Sequence, residues 1–126
     1  MNSMRVVALG VLLSSGLAAA GSKTDYTVDL STANRYASAT MGGARNSSDS
    51  TQLLSCQIDA TVSGISGTCY AVNAQGVSGE CRTTNQYLLE AIKSISDSSL
   101  VAFTWNESGV CTQVIVRQGS MHGPKL

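Results

Sequence analysis

The sequence predicts an α+β fold: a small antiparallel sheet of five to seven short strands, a meander plus a C-terminal hairpin, with one helix packed on it and two disulfides. Three observations predict it. Residues 51–82 hold three of the four cysteines and split into short β-type runs between Gly/Ser/Asn clusters. Residues 84–96 alone switch to a helical period. Residues 100–105 (LVAFTW) and 110–117 are apolar runs around Asn106-Glu107-Ser108-Gly109, a four-residue turn ending in Gly, as hairpins prefer.

The first 20 residues stand apart. Met1 to Arg5 carries one positive charge, residues 6–17 are mostly apolar, and Ala18-Ala19-Ala20 offers the small residues a signal peptidase accepts. The apolar run is shorter than the roughly 20 residues a membrane-crossing helix needs. Residues 1–20 are therefore expected to be a secretory signal peptide cleaved after Ala20, and residues 21–126 a single disulfide-stapled domain with a polar C-terminal tail. Without Arg5 the eight basic residues become seven against eight acidic ones. A near-neutral, charge-poor surface gives no reason to expect nucleic acid or an anionic membrane as partner, and no membrane insertion is expected after signal cleavage.

Within the domain, residues 26–30 (YTVDL) alternate as a half-buried strand does, and residues 36–41 (YASATM) form a weaker one whose small residues suggest a closely packed edge. Residues 42–50 (GGARNSSDS) read as a polar loop. Residues 52–60 alternate cleanly, with Leu54, Cys56, Ile58 and Ala60 on one face, and read as a central strand. A turn at residues 63–67 leads to a strand over 68–74, and Gln75-Gly76 turns it back into residues 77–83. Tyr87, Leu88, Ala91, Ile92 and Ile95 then make one helical stripe, with Thr84 or Asn85 as cap and Glu90–Lys93 as an i,i+3 pair. The stripe needs an apolar partner, for which Leu54/Ile58 and Val101/Phe103/Trp105 are the candidates.

Four cysteines in a small exported chain form two disulfides. A zinc site fails on spacing: the cysteines are 13, 12 and 30 residues apart, without a CxxC pair, and His122 is the single histidine. If Gln75-Gly76 closes a hairpin, residues whose numbers sum to about 150 face each other, which pairs Cys69 with Cys81 and leaves Cys56 with Cys111. The alternative is Cys56–Cys69 with Cys81–Cys111.

No catalytic set emerges. His122 lies in a Gly/Pro-containing tail, expected to be solvated and too mobile to serve a triad. The acids are scattered, with Asp49, Glu80 and Glu107 at turns, as ordinary surface charge is. Gly42-Gly43 lacks the Lys-Ser/Thr of a phosphate loop. No catalytic residue, cofactor or metal is expected. Candidate contact residues are Arg45, Asn46 and Asp49, either a binding loop or, as we favour, a side-chain-locked turn, together with Tyr26, Tyr36, Tyr70 and the half-core Trp105. Asn46-Ser47-Ser48 and Asn106-Glu107-Ser108 are glycosylation sequons only if the source is eukaryotic.

Gly43-Ala44-Arg45-Asn46-Ser47, Asp49-Ser50, Gln52 and Cys56 form one pattern; Phe103-x-Trp105-Asn106-x-x-Gly109-x-Cys111-Thr112, Val116 and Gly123-Pro124-Lys125 form another. Together they resemble a family of small secreted bacterial proteins with a four-cysteine framework and no assigned activity. The resemblance covers most of residues 40–125. It implies export, disulfides and a bacterial source, hence a secreted or periplasmic place, and brings no site residues with it. The expected function is a non-enzymatic binding module for a protein or glycan. An inhibitor of a protease or muramidase, inserting residues 42–50 or 63–67, is the alternative; a small hydrolase is the third.

Overall fold

The computed structural model describes residues 21–126; the expected signal peptide lies outside the described residues. The chain runs through β1 (Asp29–Ser31), β2 (Tyr36–Thr40), α1 (Met41–Arg45), β3 (Leu53–Thr61), β4 (Gly64–Val72), β5 (Ser78–Thr83), α2 (Gln86–Lys93), β6 (Ser99–Trp105) and β7 (Cys111–Gln118). The α+β class and the seven antiparallel strands are as expected. The strands divide, however, into two sheets, ordered β1-β2-β6-β7 and β3-β4-β5. α1 and α2 each carry the chain from one sheet to the other. Among the described residues no helix is long and apolar enough to cross a membrane.

Side-chain alternation explains how the sheets meet. Ala37, Ala39, Val101 and Phe103 line the inner face of the four-stranded sheet, and Leu54, Cys69, Ala71 and Cys81 that of the three-stranded one, in a single apolar cluster. Small residues stand opposite large ones across the ladder: Ala37 pairs with Phe103 and Ala39 with Val101. All four are fully buried. β2 is therefore an inner strand, not the expected edge, because its alanines make room for the neighbouring rings.

Two glycines set the close approaches. A Cβ on Gly79 would lie 2.6 Å from Trp105 Cη2, so the indole rests on bare backbone of β5. A Cβ on Gly67 would lie 2.9 Å from Ile92 Cδ1 and 3.0 Å from Leu89 Cδ2. That hollow rotates α2 relative to the expected stripe: Leu89 and Ile92 are buried, whereas Tyr87 is 82% exposed. Asn85 caps the helix by accepting from the Tyr87 and Leu88 N–H groups, and Lys93 pairs with Glu90 at 3.4 Å.

Gly67 also explains the disulfides. It was expected in a turn, but it belongs to β4 beneath α2. The β3–β4 turn is instead the tight Val62-Ser63 pair, with Ser63 N–H donating to Thr61 Oγ1. The register shifts accordingly and sets Cys56 opposite Cys69. The bonds are Cys56–Cys69 and Cys81–Cys111, which corrects the favoured pairing Cys69–Cys81 with Cys56–Cys111. The predicted juxtaposition of Cys69 and Cys81 does hold in the β4–β5 ladder; the bond simply forms on the other side of Cys69. In the chain-entropy account each disulfide stabilises by about 3–4 kcal/mol. Cys56–Cys69 braces a hairpin, and Cys81–Cys111 links the two sheets.

The β4–β5 and β6–β7 hairpin loops share one design, Asn-x-x-Gly-Val. Asn73 Oδ1 accepts from the Gln75 and Val77 N–H groups, and Asn106 Oδ1 from those of Ser108 and Val110. Gly76 and Gly109 take the positive φ, 80° and 76°, that ends each loop.

The loop expected over residues 42–50 begins with α1, the second helix. Thr40 Oγ1 caps it by accepting from Gly43 N–H. Gly42 and Gly43 are tolerated there because the backbones of Gly123 and Tyr26 press where side chains would be. β1 starts later than expected because the Tyr26 and Val28 N–H groups are taken by Thr40 Oγ1 and Gln52 Oε1.

Gly79→Ala should drive a methyl into the Trp105 ring and destabilise the protein by about 1–3 kcal/mol, read as a lower urea midpoint at unchanged slope. An unchanged midpoint would mean that Trp105 does not depend on that bare backbone.

Candidate functional site

The two chain segments that carry the sequence pattern around Asn46 and around Pro124 meet in space. Asn46 Nδ2 donates to the Pro124 carbonyl at 3.2 Å, and Asn46 Oδ1 accepts from Leu126 N–H at 3.0 Å. Gly123 N–H donates to Asp25 Oδ1, Thr24 N–H donates to the Met121 carbonyl, and Lys125 pairs with Asp97 at 2.9 Å. The polar tail is thus clamped between the N-terminal segment and α1. Asn46 acts as that clamp, with both side-chain polar atoms engaged.

His122 consequently departs from expectation. It is only 7% exposed, and its Nδ1 lies 2.7 Å from the Thr24 carbonyl. A carbonyl can only accept, so Nδ1 is the donor in this contact. Nε2 is buried without a partner among the described residues. The sequence hid this because the residues that hold the tail, Asp25 and Asn46, lie 98 and 80 positions from their partners Gly123 and Leu126.

Asp49 locks the segment after α1. Its carboxylate accepts from Gln52 Nε2 at 2.7 Å and from the Thr51 and Gln52 N–H groups at 2.8 Å. The Gln52 side-chain bond, then these backbone bonds, hold the carboxyl down to about 2. Gln52 Oε1 passes the order on to Val28 N–H at 2.8 Å. Arg45 does not join: among the described residues no ion pair connects it to Asp49, and it is exposed. Of the three, Asp49 locks the turn and Asn46 clamps the tail.

Of the aromatic candidates, the structure brings Tyr26 and Tyr36 together and separates the others. Trp105 is partly buried against the core, its ring tilted at 37° to that of Phe103 with centroids 5.6 Å apart. Tyr70 stands on the outer face of β4, between Ser55 and Glu80 of the neighbouring strands. Tyr26 and Tyr36 line a groove of about 750 Å³ on the outer face of the four-stranded sheet, walled by the N-terminal segment and by Met121 and His122. Asp29 and Arg117, from the two edge strands, also line it. Among the described residues neither has an ion-pair or side-chain hydrogen-bond partner. Spacing could not flag these two, since it takes both edge strands and the docked tail to bring them to one groove.

A second surface is convex. β3 and β4 pair out to Thr61↔Gly64, but β5 follows β4 only as far as Gly67↔Thr83. The hairpin tip therefore projects about 10 Å as a bare two-stranded ribbon. Residues 59–65 are all exposed, and Val62 at the apex is entirely so. Ile65, 39% exposed, adds a second apolar side chain. Isolated ribbons are marginally stable in water; this one is held at its base by Cys56–Cys69.

Among the described residues no three His, Cys, Asp or Glu side chains converge as metal ligands. Compared with protein-family models, curated proteins and solved structures, the chain matches none.

Asp49→Asn should remove a group whose folded-state value lies below its unfolded one. The carboxylate's contribution is fully present above the ordinary carboxylate range near 4 and is lost as pH falls towards 2. The variant should therefore be less stable than the parent at pH 7. The gap in thermal midpoint should close between about pH 4 and 2. A gap that is constant with pH would assign the loss to the amide's geometry rather than to the charge.

Proposed function

We propose that the protein is an exported bacterial binding module, secreted or periplasmic, that presents the β3–β4 hairpin to a protein partner. The observation that carries this reading is the projecting ribbon of residues 59–65, apolar at its apex and cross-linked at its base. An exposed apolar tip is unfavourable in isolation and becomes favourable when a partner covers it. The disulfide reduces the ordering cost of binding, because the ribbon is already held in shape. A preformed hairpin of this kind suits insertion into a cleft, which makes inhibition of a protease or muramidase the sharper form of the same reading. Two disulfides are consistent with an oxidising compartment.

The test compares two variants on immobilised oxidised protein exposed to envelope extract and culture supernatant, followed by titration of the retained partner and a hydrolase inhibition panel. Val62→Asp should weaken binding at least about tenfold, or about 1.4 kcal/mol, with an unchanged thermal midpoint. Arg117→Ala, in the groove, should leave binding intact. The reverse pattern would overturn the hairpin reading and move the site to the groove of Tyr26, Tyr36, Asp29 and Arg117, whose aromatic and polar lining suits a glycan.

A further inference from the structure

Three cysteines occupy one cross-strand row. Cys56 on β3 faces Cys69 on β4, and Cys69 faces Cys81 on β5. Alternation puts all three side chains on the inner face of the three-stranded sheet. Directly opposed residues on a ladder bring their Cβ atoms to roughly 4.5–5.5 Å, a small closure away from the roughly 3.5–4.5 Å of a disulfide. The middle cysteine thus has a cysteine on each side: Cys56 is the close partner, 4.0 Å away between Cα atoms, and Cys81 sits at the wider, hydrogen-bonded kind of pair, about 5.5 Å between Cα atoms and still inside the range a disulfide spans. Access does differ along the row. Cys56 is partly exposed, whereas Cys69, Cys81 and Cys111 are no more than 5% exposed.

From this row we infer that the protein carries a thiol–disulfide exchange relay, with Cys56 as the entry point for an external thiol and Cys69 as the moving partner. The external thiolate attacks Cys56 Sγ, forms a mixed disulfide there, and expels Cys69 as a thiolate. Cys69 then attacks Cys81 Sγ across the β4–β5 ladder, forms Cys69–Cys81, and expels Cys111 as a thiolate. Each step breaks one S–S bond and makes one, with a thiolate entering and a thiolate leaving, so no further oxidant or reductant is consumed. The co-reactant is a low-molecular-weight thiol or the reduced active-site cysteine of an oxidoreductase.

The consequence is structural. One entering thiol removes both the brace of the projecting hairpin and the covalent link between the sheets. Cys69–Cys81 replaces them with a bond internal to the three-stranded sheet. The sheets then remain joined by their shared core and by Arg82 N–H donating to the Gly109 carbonyl at 3.0 Å. The relay concerns covalent connectivity and holds whether or not the hairpin binds a partner.

The native chain is incubated with glutathione without denaturant, sampled over time, quenched in acid, alkylated, cleaved after Asp59 and Tyr70 to separate the three cysteines, and mapped by mass spectrometry. Partially reduced molecules should accumulate Cys69–Cys81 with Cys56 glutathionylated and Cys111 alkylated, at a rate independent of protein concentration. Retention of Cys81–Cys111 in every partially reduced molecule would overturn the relay. So would the appearance of Cys56–Cys111, which marks scrambling through an unfolded chain. Cys56→Ser supplies a second route to the same answer: its Cys81–Cys111 and Cys69–Cys81 isomers should coexist and interconvert. A variant holding only Cys81–Cys111 contradicts the inference, and if it fails to fold the glutathione experiment on the native chain decides.

Discussion

The close approach of the two sheets is the constraint on which the rest depends. Trp105 can lie across β5 only because Gly79 has no side chain, and the same contact brings Cys111 to Cys81. Once the sheets are at that distance, the alanines of β2 and the rings of Phe103 and Trp105 fill the space between them. A chain this short buries only about 65% of its unfolded surface. The covalent bridge and the shared apolar cluster therefore act together: the bridge restricts the unfolded chain, and the cluster removes apolar surface from water.

Polar groups do a different kind of work. Asn46, Asp49, Asn73, Asn85 and Asn106 each use a side-chain oxygen to accept backbone N–H groups where no ladder or helix partner is present. Each is placed where the chain changes direction or ends. This is how the most polar segment of the domain is held, with Asp49 fixing the turn and Asn46 gripping the C-terminal tail. Docking that tail creates one wall of the groove. It also buries an imidazole nitrogen that the sequence had placed in solvent.

Both candidate surfaces arise where regular pairing stops. The convex one exists because β5 is shorter than β3 and β4, and the concave one because residues 24–27 and the segment of Met121 and His122 wall the outer face of the other sheet. Neither requires an unusual residue. Their chemistry comes from placement: an apolar apex held rigid in one case, and aromatic rings beside two unpaired charges in the other. The cysteine row belongs to the same sheet as the convex surface, so one thiol reaction there changes the support of that hairpin.

By itself the sequence determined the α+β class, most strand positions, the Asn-capped helix, the Gln75-Gly76 hairpin with its register, and the presence of two cross-links. These follow from signals carried within a few residues: period-two alternation, a helical stripe, turn chemistry, cysteine number. Tertiary structure decided the division into two sheets, the rotation of α2, the pairing of the cysteines and the docking of His122. Each of these hinges on an ambiguity that local pattern cannot resolve. Gly67 reads as a turn residue until a helix is seen to need its bare backbone, and moving that one glycine from turn to strand re-registers β3 against β4 and changes the partner of Cys69. Likewise Asp25 and Asn46 reveal nothing of the tail they hold, because their partners arrive from the far end of the chain.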